Sequence, residues 1–449
     1  MTIRRWKKDI LNGNIAQQLL LLIFPLFLGY LLQHFYGFVD NIILGRLISK
    51  EALAAVGGSA SSLINIYLNF VGGITSAITV LVARSCGQGN MDKVNNSIRT
   101  GMFVSITIGA VLTAIMIPVS PYWLTLMHEP AETRSLSLTY LYIYFASIVF
   151  YFVYQTGISI FRAMGDSRRP LMMIGVTAAS KILLDLLLAG VFKLGILGTS
   201  LATFLSHLIC AVLVLYIFGK TDDIYYFSLK EFGYDKEDLK QIFMIGLPFA
   251  IQSMMFAIPN AVTQYKVNSF GTDAVAAYAA FGSIDGLFWC FSNAICTATI
   301  TMTSQNFGSR NMKRVRKTLW TACLIELAGV FVYSTIFLLD GRQILRLFLK
   351  EENTLDIAQA MLTIIALSYP ATIFVDIFSQ IFKSCGLIRT PLLIAIFTVC
   401  GTRVAFILLY PITRPEQCVL TFTVSWIVTS CAYLVYYLCR KDVFRNDSK

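Results

Sequence analysis

Seven ionisable residues stand inside strongly apolar runs: Asp40, Lys181, Asp185, Asp285, Glu326, Asp376 and Arg403. A charge at the centre of a bilayer costs at least about 2.5–3.5 kcal/mol on insertion scales, so each of them needs a reason to be there. Buried carboxylates can bind protons or hard cations, with nearby hydroxyl and carbonyl oxygens completing the shell. Lys181 and Asp185 are four residues apart, so on a helix they share one face and can pair. Arg403 is a second intramembrane cation, and Asp376 is its expected ion-pair partner; Asp285 and Glu326 are further acids buried in predicted spans. Tyr36, Tyr154 and Trp289 can offer π faces to an organic cation, although aromatic residues at helical spacing more often pack or form an interfacial belt. Other chemistries find little support. The ten cysteines form no C-x-x-C pair, and with three histidines there is no metal-ligand cluster. No H-E-x-x-H, nucleophile elbow or nucleotide-binding P-loop occurs. The chain is therefore expected to be neither an enzyme nor a cofactor protein.

These residues must be positioned by membrane helices. The 449 residues are 56% hydrophobic and only 14% charged, far from the composition of a soluble domain. A helix crossing a hydrocarbon core about 30 Å thick needs about 20 apolar residues. Twelve segments qualify: 15–44, 53–81, 100–120, 136–160, 171–192, 196–218, 241–265, 275–302, 318–339, 358–380, 391–411 and 418–438. The apolar run behind the basic opening "MTIRRWKKDI" is longer than a signal-peptide core, so it reads as an uncleaved first span.

With the N-terminus placed in the cytoplasm, the cytoplasmic segments hold 25 of the 36 Lys and Arg residues and the outer segments 9. That asymmetry places both termini inside. It also accounts for the net charge of +11 without invoking nucleic acid.

The chain is a tandem repeat. "FRAMGDSRRP" (161–170) and "FKSCGLIRTP" (382–391) share Phe, Gly, Arg and Pro at the same offsets, 221 residues apart, and both follow a span. The same shift carries Gly87 onto Gly308, and slightly longer shifts carry "ALAA" at 52–55 onto "AVAA" at 274–277 and Pro25 onto Pro248. Six spans per half is an even number, so the halves are parallel repeats about an axis along the membrane normal. Gly165 and Gly386 suit tight turns, and Pro170 and Pro391 suit a helix start. The expected fold is all-α: twelve transmembrane helices in two six-helix bundles, 1–218 and 241–449, joined by a polar linker at 219–240.

"VDNIILGRLISKEALAAVG" (39–57), "GQGNMDKV" (87–94), the twice-written "F-[RK]-x-x-G-x-x-R-x-P" and "LLDLLLAGVFKLGILGTSLAT" (183–203) together resemble the multidrug and toxic compound extrusion (MATE) family over about residues 12–438. The resemblance implies a secondary antiporter of the cell (plasma or inner) membrane, exporting organic cations or drugs in exchange for H⁺ or Na⁺, with two bundles rocking about a central cavity. It implies a monomer whose partners are its substrate and membrane lipid. It marks Asp40, Asp185 and Thr203 as an ion or proton site in the first half, and Asp376 as an acid of a second-half ion site. The second half lacks the glutamate expected near Phe256. Lys181 departs from the family, which has Asn there; its ammonium either takes the place of the ion or joins a proton-dependent switch, unless the side chain snorkels to the interface. Asp285, Arg403, Tyr36, Tyr154 and Trp289 are the expected cavity residues. A flippase of lipid-linked precursors is the alternative, but its diphosphate cargo calls for a more basic cavity.

Overall fold

The structure, a computed structural model, describes residues 10–220, 232–440 and Phe444. Part of the expected linker, 221–231, lies outside the described residues. Among the described residues the chain is helical, with no strand. Its eleven membrane-length helices among the described residues, together with the shorter, bent pair α4 and α5, are α1 (Ile15–Ile43), α2 (Glu51–Gln88), α3 (Met91–Leu126), α4 (Ala131–Ala146), α5 (Ile148–Ala163), α6 (Arg168–Val191), α7 (Gly195–Gly219), α8 (Lys236–Asn268), α9 (Thr272–Gly308), α10 (Met312–Leu345), α11 (Glu352–Ser384), α12 (Arg389–Leu409) and α13 (Pro415–Cys439). Taken as one span, α4 and α5 complete the expected twelve; they meet at a bend of 50°. Ser147 stands at the bend. Its hydroxyl lies 2.6 Å from the Tyr144 carbonyl oxygen and 2.9 Å from His207 Nδ1, a side-chain insertion of the kind that kinks helices.

The helices divide into two compact units, one holding Leu28–Ala250 and the other Lys8–Phe27 with Ile251–Lys449. The division runs through α1 and α8, two residues past Pro25 and Pro248, the prolines inside them. An interior proline removes a backbone hydrogen bond and weakens the helix locally. The two repeat-related prolines thus mark where each helix passes from one unit to the other.

The first unit has a continuous core in which Tyr67, Phe145, Phe152, Phe161 and Phe218 are fully buried. In the second, Phe288 stacks on Tyr369 with ring centroids 3.7 Å apart, and Phe378 and Phe382 pack against Tyr437 and Tyr433. The repeated phrase folds alike in both copies. Gly165 has φ +85° and Gly386 φ +80°, and α6 and α12 begin at Arg168 and Arg389, each with proline as its third residue. Both helices contain a π-helical turn, Leu186–Val191 at the far end of α6 and Ile396–Gly401 in the middle of α12.

Candidate functional site

In the first unit, α1 and α6 bring three charges together. Lys181 Nζ donates to Asp40 Oδ1 at 2.6 Å and to Asp185 Oδ2 at 2.5 Å. Lys181 and Asp185 are adjacent because they are one helical turn apart, and the π-helical turn begins directly after Asp185; such turns often mark functional positions. The side chains of Lys181 and Asp185 are 6% and 1% exposed, and that of Asp40 is 18%. Asp40 is therefore the open face of the triad. It lines a cavity of about 480 Å³ with Tyr36, Asn41, His34, Tyr140 and Tyr144. Asp185 Oδ1 has no hydrogen-bond partner among the described residues. Two carboxylates and one ammonium carry a net charge of −1.

Thr203 sits one layer back. Its hydroxyl donates to the Thr199 carbonyl at 3.0 Å, and its side chain also meets that of Tyr140. Tyr154 is buried against Tyr151 and Thr177 and does not line the Asp40 cavity. Lys181 does not snorkel to an interface; it is buried between two acids.

In the second unit a cavity of about 530 Å³ is lined by Asp285, Trp289, Asp376, Arg403, Phe422 and Trp426, among others. Asp285 Oδ1 accepts from the Tyr369 hydroxyl at 2.6 Å, and Oδ2 accepts from Trp289 Nε1 at 2.8 Å. Arg403 does not pair with Asp376 as expected. Its Nη1 donates to Asn260 Oδ1 at 2.7 Å and its Nε to the Ser425 hydroxyl at 3.0 Å, with the guanidinium 4.3 Å over the Phe422 ring. Neutral oxygens and an aromatic face satisfy this cation without neutralising it. Asp376 turns to a different partner: the Ser292 hydroxyl lies 2.9 Å from Asp376 Oδ2 and 2.9 Å from Glu326 Oε1. Phe256, where a glutamate was missing, is part of the cavity wall.

Outside the spans, Glu129 follows α3. It accepts from Ser59 at 2.5 Å, Thr133 at 2.8 Å and Ser137 at 2.9 Å. Burial pushes its carboxyl up, but the three hydroxyl donors outweigh that and hold it below its ordinary value.

Sequence reasoning missed Ser292, Tyr369, Asn260 and the meeting of Glu326 with Asp376. The only available signal was the presence of Glu326 itself, a charge in a run that otherwise reads as buried. Among the described residues no group of His, Cys, Asp and Glu has a metal-binding arrangement.

A family model described as MatE matches residues 25–187 and 248–409, one block in each half of the repeat. Among curated relatives, the probable multidrug resistance protein YpnP of Bacillus subtilis is 26% identical, the match covering 96% of each chain. The probable multidrug resistance protein YoeA of the same organism is 27% identical over 88% of this chain and 87% of that one. The multidrug export protein MepA of Staphylococcus aureus is 23% identical, covering 76% and 75%. Among solved structures, an outward-facing multidrug resistance MATE family transporter of the MOP superfamily superposes with TM-score 0.90 at 20% identity, over 97% of this chain and 98% of that one. A MOP superfamily transporter from Pyrococcus furiosus, described as having a binding pocket of reversed polarity, also gives 0.90 at 21% identity over 98% of both chains. At that identity the likeness establishes the fold.

Proposed function

The chain belongs to the MatE family, and we propose that it is a secondary antiporter of the cell membrane that exports organic cations in exchange for protons by alternating access. The observation that carries this reading is the Lys181 ammonium, 2.6 Å from Asp40 and 2.5 Å from Asp185. A sodium ion taken up between these carboxylates would meet a fixed positive charge already there. A proton faces no such barrier: adding one to either carboxyl takes the triad from −1 to 0 while the ammonium keeps an ionic partner.

Exchange follows from the same arithmetic. With the proton absent, the negative triad, open through Asp40 to an aromatic-lined cavity, attracts an organic cation. Proton uptake cancels that attraction and releases the cargo, so the two ligands alternate. Multidrug resistance and export proteins among the relatives support a drug as cargo. The Lys and Arg asymmetry supports cytoplasmic termini.

The test is ethidium transport in proteoliposomes with pH and Na⁺ gradients imposed separately. A pH gradient in Na⁺-free medium is expected to drive uphill ethidium movement. Transport driven only by Na⁺ would overturn the proposal.

A further inference from the structure

The second unit holds a carboxyl pair whose hydrogen count does not close without an extra proton. Ser292 Oγ stands 2.9 Å from Glu326 Oε1 and 2.9 Å from Asp376 Oδ2. A hydroxyl has one hydrogen to donate. Were both acids ionised, one contact would bring a carboxylate oxygen against an oxygen lone pair with no hydrogen between them. The contacts close as a chain when one carboxyl is protonated: its O–H donates to Ser292 Oγ, and the Ser292 O–H donates to the other carboxylate.

We infer that Glu326 and Asp376 form a second proton-binding site, one proton being shared by the two carboxyl groups through the Ser292 hydroxyl. Two further observations support it. Glu326 is fully buried, and its other oxygen, Oε2, has no partner among the described residues; an ionised carboxylate in that position would be uncompensated. Thr299 and Thr303, seven and eleven residues past Ser292 and so on its face of α9, are buried hydroxyls without a partner among the described residues, as is Thr318 on α10. They extend a polar track from the pair toward the Gly308 end of α9.

The titratable groups facing the pair are Cys296 on α9, Cys323 on α10, Lys383 on α11 and Tyr433 on α13. Glu326 is fully buried with one oxygen unpartnered, whereas Asp376 opens on the cavity, which favours Asp376 as the ionised partner and leaves the proton on Glu326. Asp376 also lines the 530 Å³ cavity, so an organic cation arriving there favours loss of the shared proton. The 221-residue shift places Val71, Ser105 and Gln155 opposite Ser292, Glu326 and Asp376; the first half has no equivalent pair.

Infrared spectroscopy of the purified full-length protein at neutral pH tests this through the carbonyl stretch of protonated carboxyl groups. Glu326→Gln is expected to remove that band, because it removes the carboxyl that holds the proton, and Asp376→Asn to shift it, because it replaces the carboxylate that accepts from Ser292. Ser292→Ala should shift that band, and Asp40→Asn should leave it in place. A band unchanged in both acid variants overturns the inference. Proton release on ethidium binding gives a second readout, expected to fall by about one proton per ethidium in Glu326→Gln; equal release in wild type and variant would count against the site. If pH gradients fail to drive transport, coupling at Asp40 falls while the infrared result still decides the pair.

Discussion

Lys181 and Asp185 form an ion pair of 2.5 Å within one turn of α6, and the same ammonium reaches Asp40 on α1 at 2.6 Å. One side chain therefore neutralises half of a two-carboxylate site and fixes its shape. Replacing Lys181 by Asn removes the tethered cation and leaves both acids with neutral oxygen and amide neighbours, a setting suited to a bound cation. Under the proposed proton coupling, Lys181→Asn transporters should gain a stimulation by Na⁺ in proteoliposomes that the wild type is expected not to show. Equal Na⁺ response in the two proteins would show that the ammonium does not exclude the ion.

Lys181→Ala tests the same pairing as stability. It leaves two acids facing each other, one of them almost wholly buried. Breaking a buried pair by removing one partner costs about 3–5 kcal/mol. Thermal melting in detergent should show a large loss, with Asp40→Asn in the same chain restoring part of it. A double variant no more stable than Lys181→Ala would argue against charge as the cause.

Asp285 is held by Tyr369 and Trp289, so its carboxylate is fixed against the cavity wall. Tyr369→Phe removes one donor to a buried carboxylate, a loss of about 1–3 kcal/mol. If this carboxylate holds cationic cargo, Asp285→Asn should weaken ethidium binding, measured by fluorescence, more than Tyr369→Phe does, and a neutral dye of similar shape should bind unchanged.

Much of this was legible in the sequence, for reasons that show where legibility ends. Span positions follow from hydropathy, and the pairing of Lys181 with Asp185 follows from helical spacing alone. The repeat predicted the turns at Gly165 and Gly386. The contacts of Arg403 did not follow, because Asn260 and Ser425 are 143 and 22 residues away on other helices, and neutral polar residues in apolar runs carry no sign of their direction. Ser292 was hidden for the same reason. The acid partner of Asp376 comes from α10 rather than from the helix holding Phe256, a change of helix that spacing along one strand of sequence cannot reveal.

Glu129 supplies a pH dependence outside the membrane. Its folded carboxyl titrates below its ordinary value because the donors Ser59, Thr133 and Ser137 outweigh the effect of burial. The sign follows: a depressed carboxyl contributes stability that is fully present above the unfolded value, about 4.3, and lost as pH falls through the folded one. Glu129→Gln should flatten the dependence of melting temperature on pH in the acid range below that value and leave it unaltered at higher pH. An unchanged acid-side slope would mean that the cluster contributes no linked stability.

The two turn glycines offer a test of the repeat at the level of backbone energy. Gly165 and Gly386 have φ of +85° and +80°, a region where a Cβ approaches the neighbouring carbonyl and costs roughly 1–2 kcal/mol. Each turn closes on equivalent hydrogen bonds: the Gly165 N–H donates to Arg162 O at 2.9 Å, and the Gly386 N–H to Lys383 O at 3.1 Å. Gly165→Ala and Gly386→Ala should therefore destabilise by similar amounts in thermal melts, and the double variant by about their sum, since distant sites are additive within roughly 0.3–0.5 kcal/mol. A strongly unequal pair of losses would mean that the two phrases, alike in residues and backbone angle, are held by different surroundings.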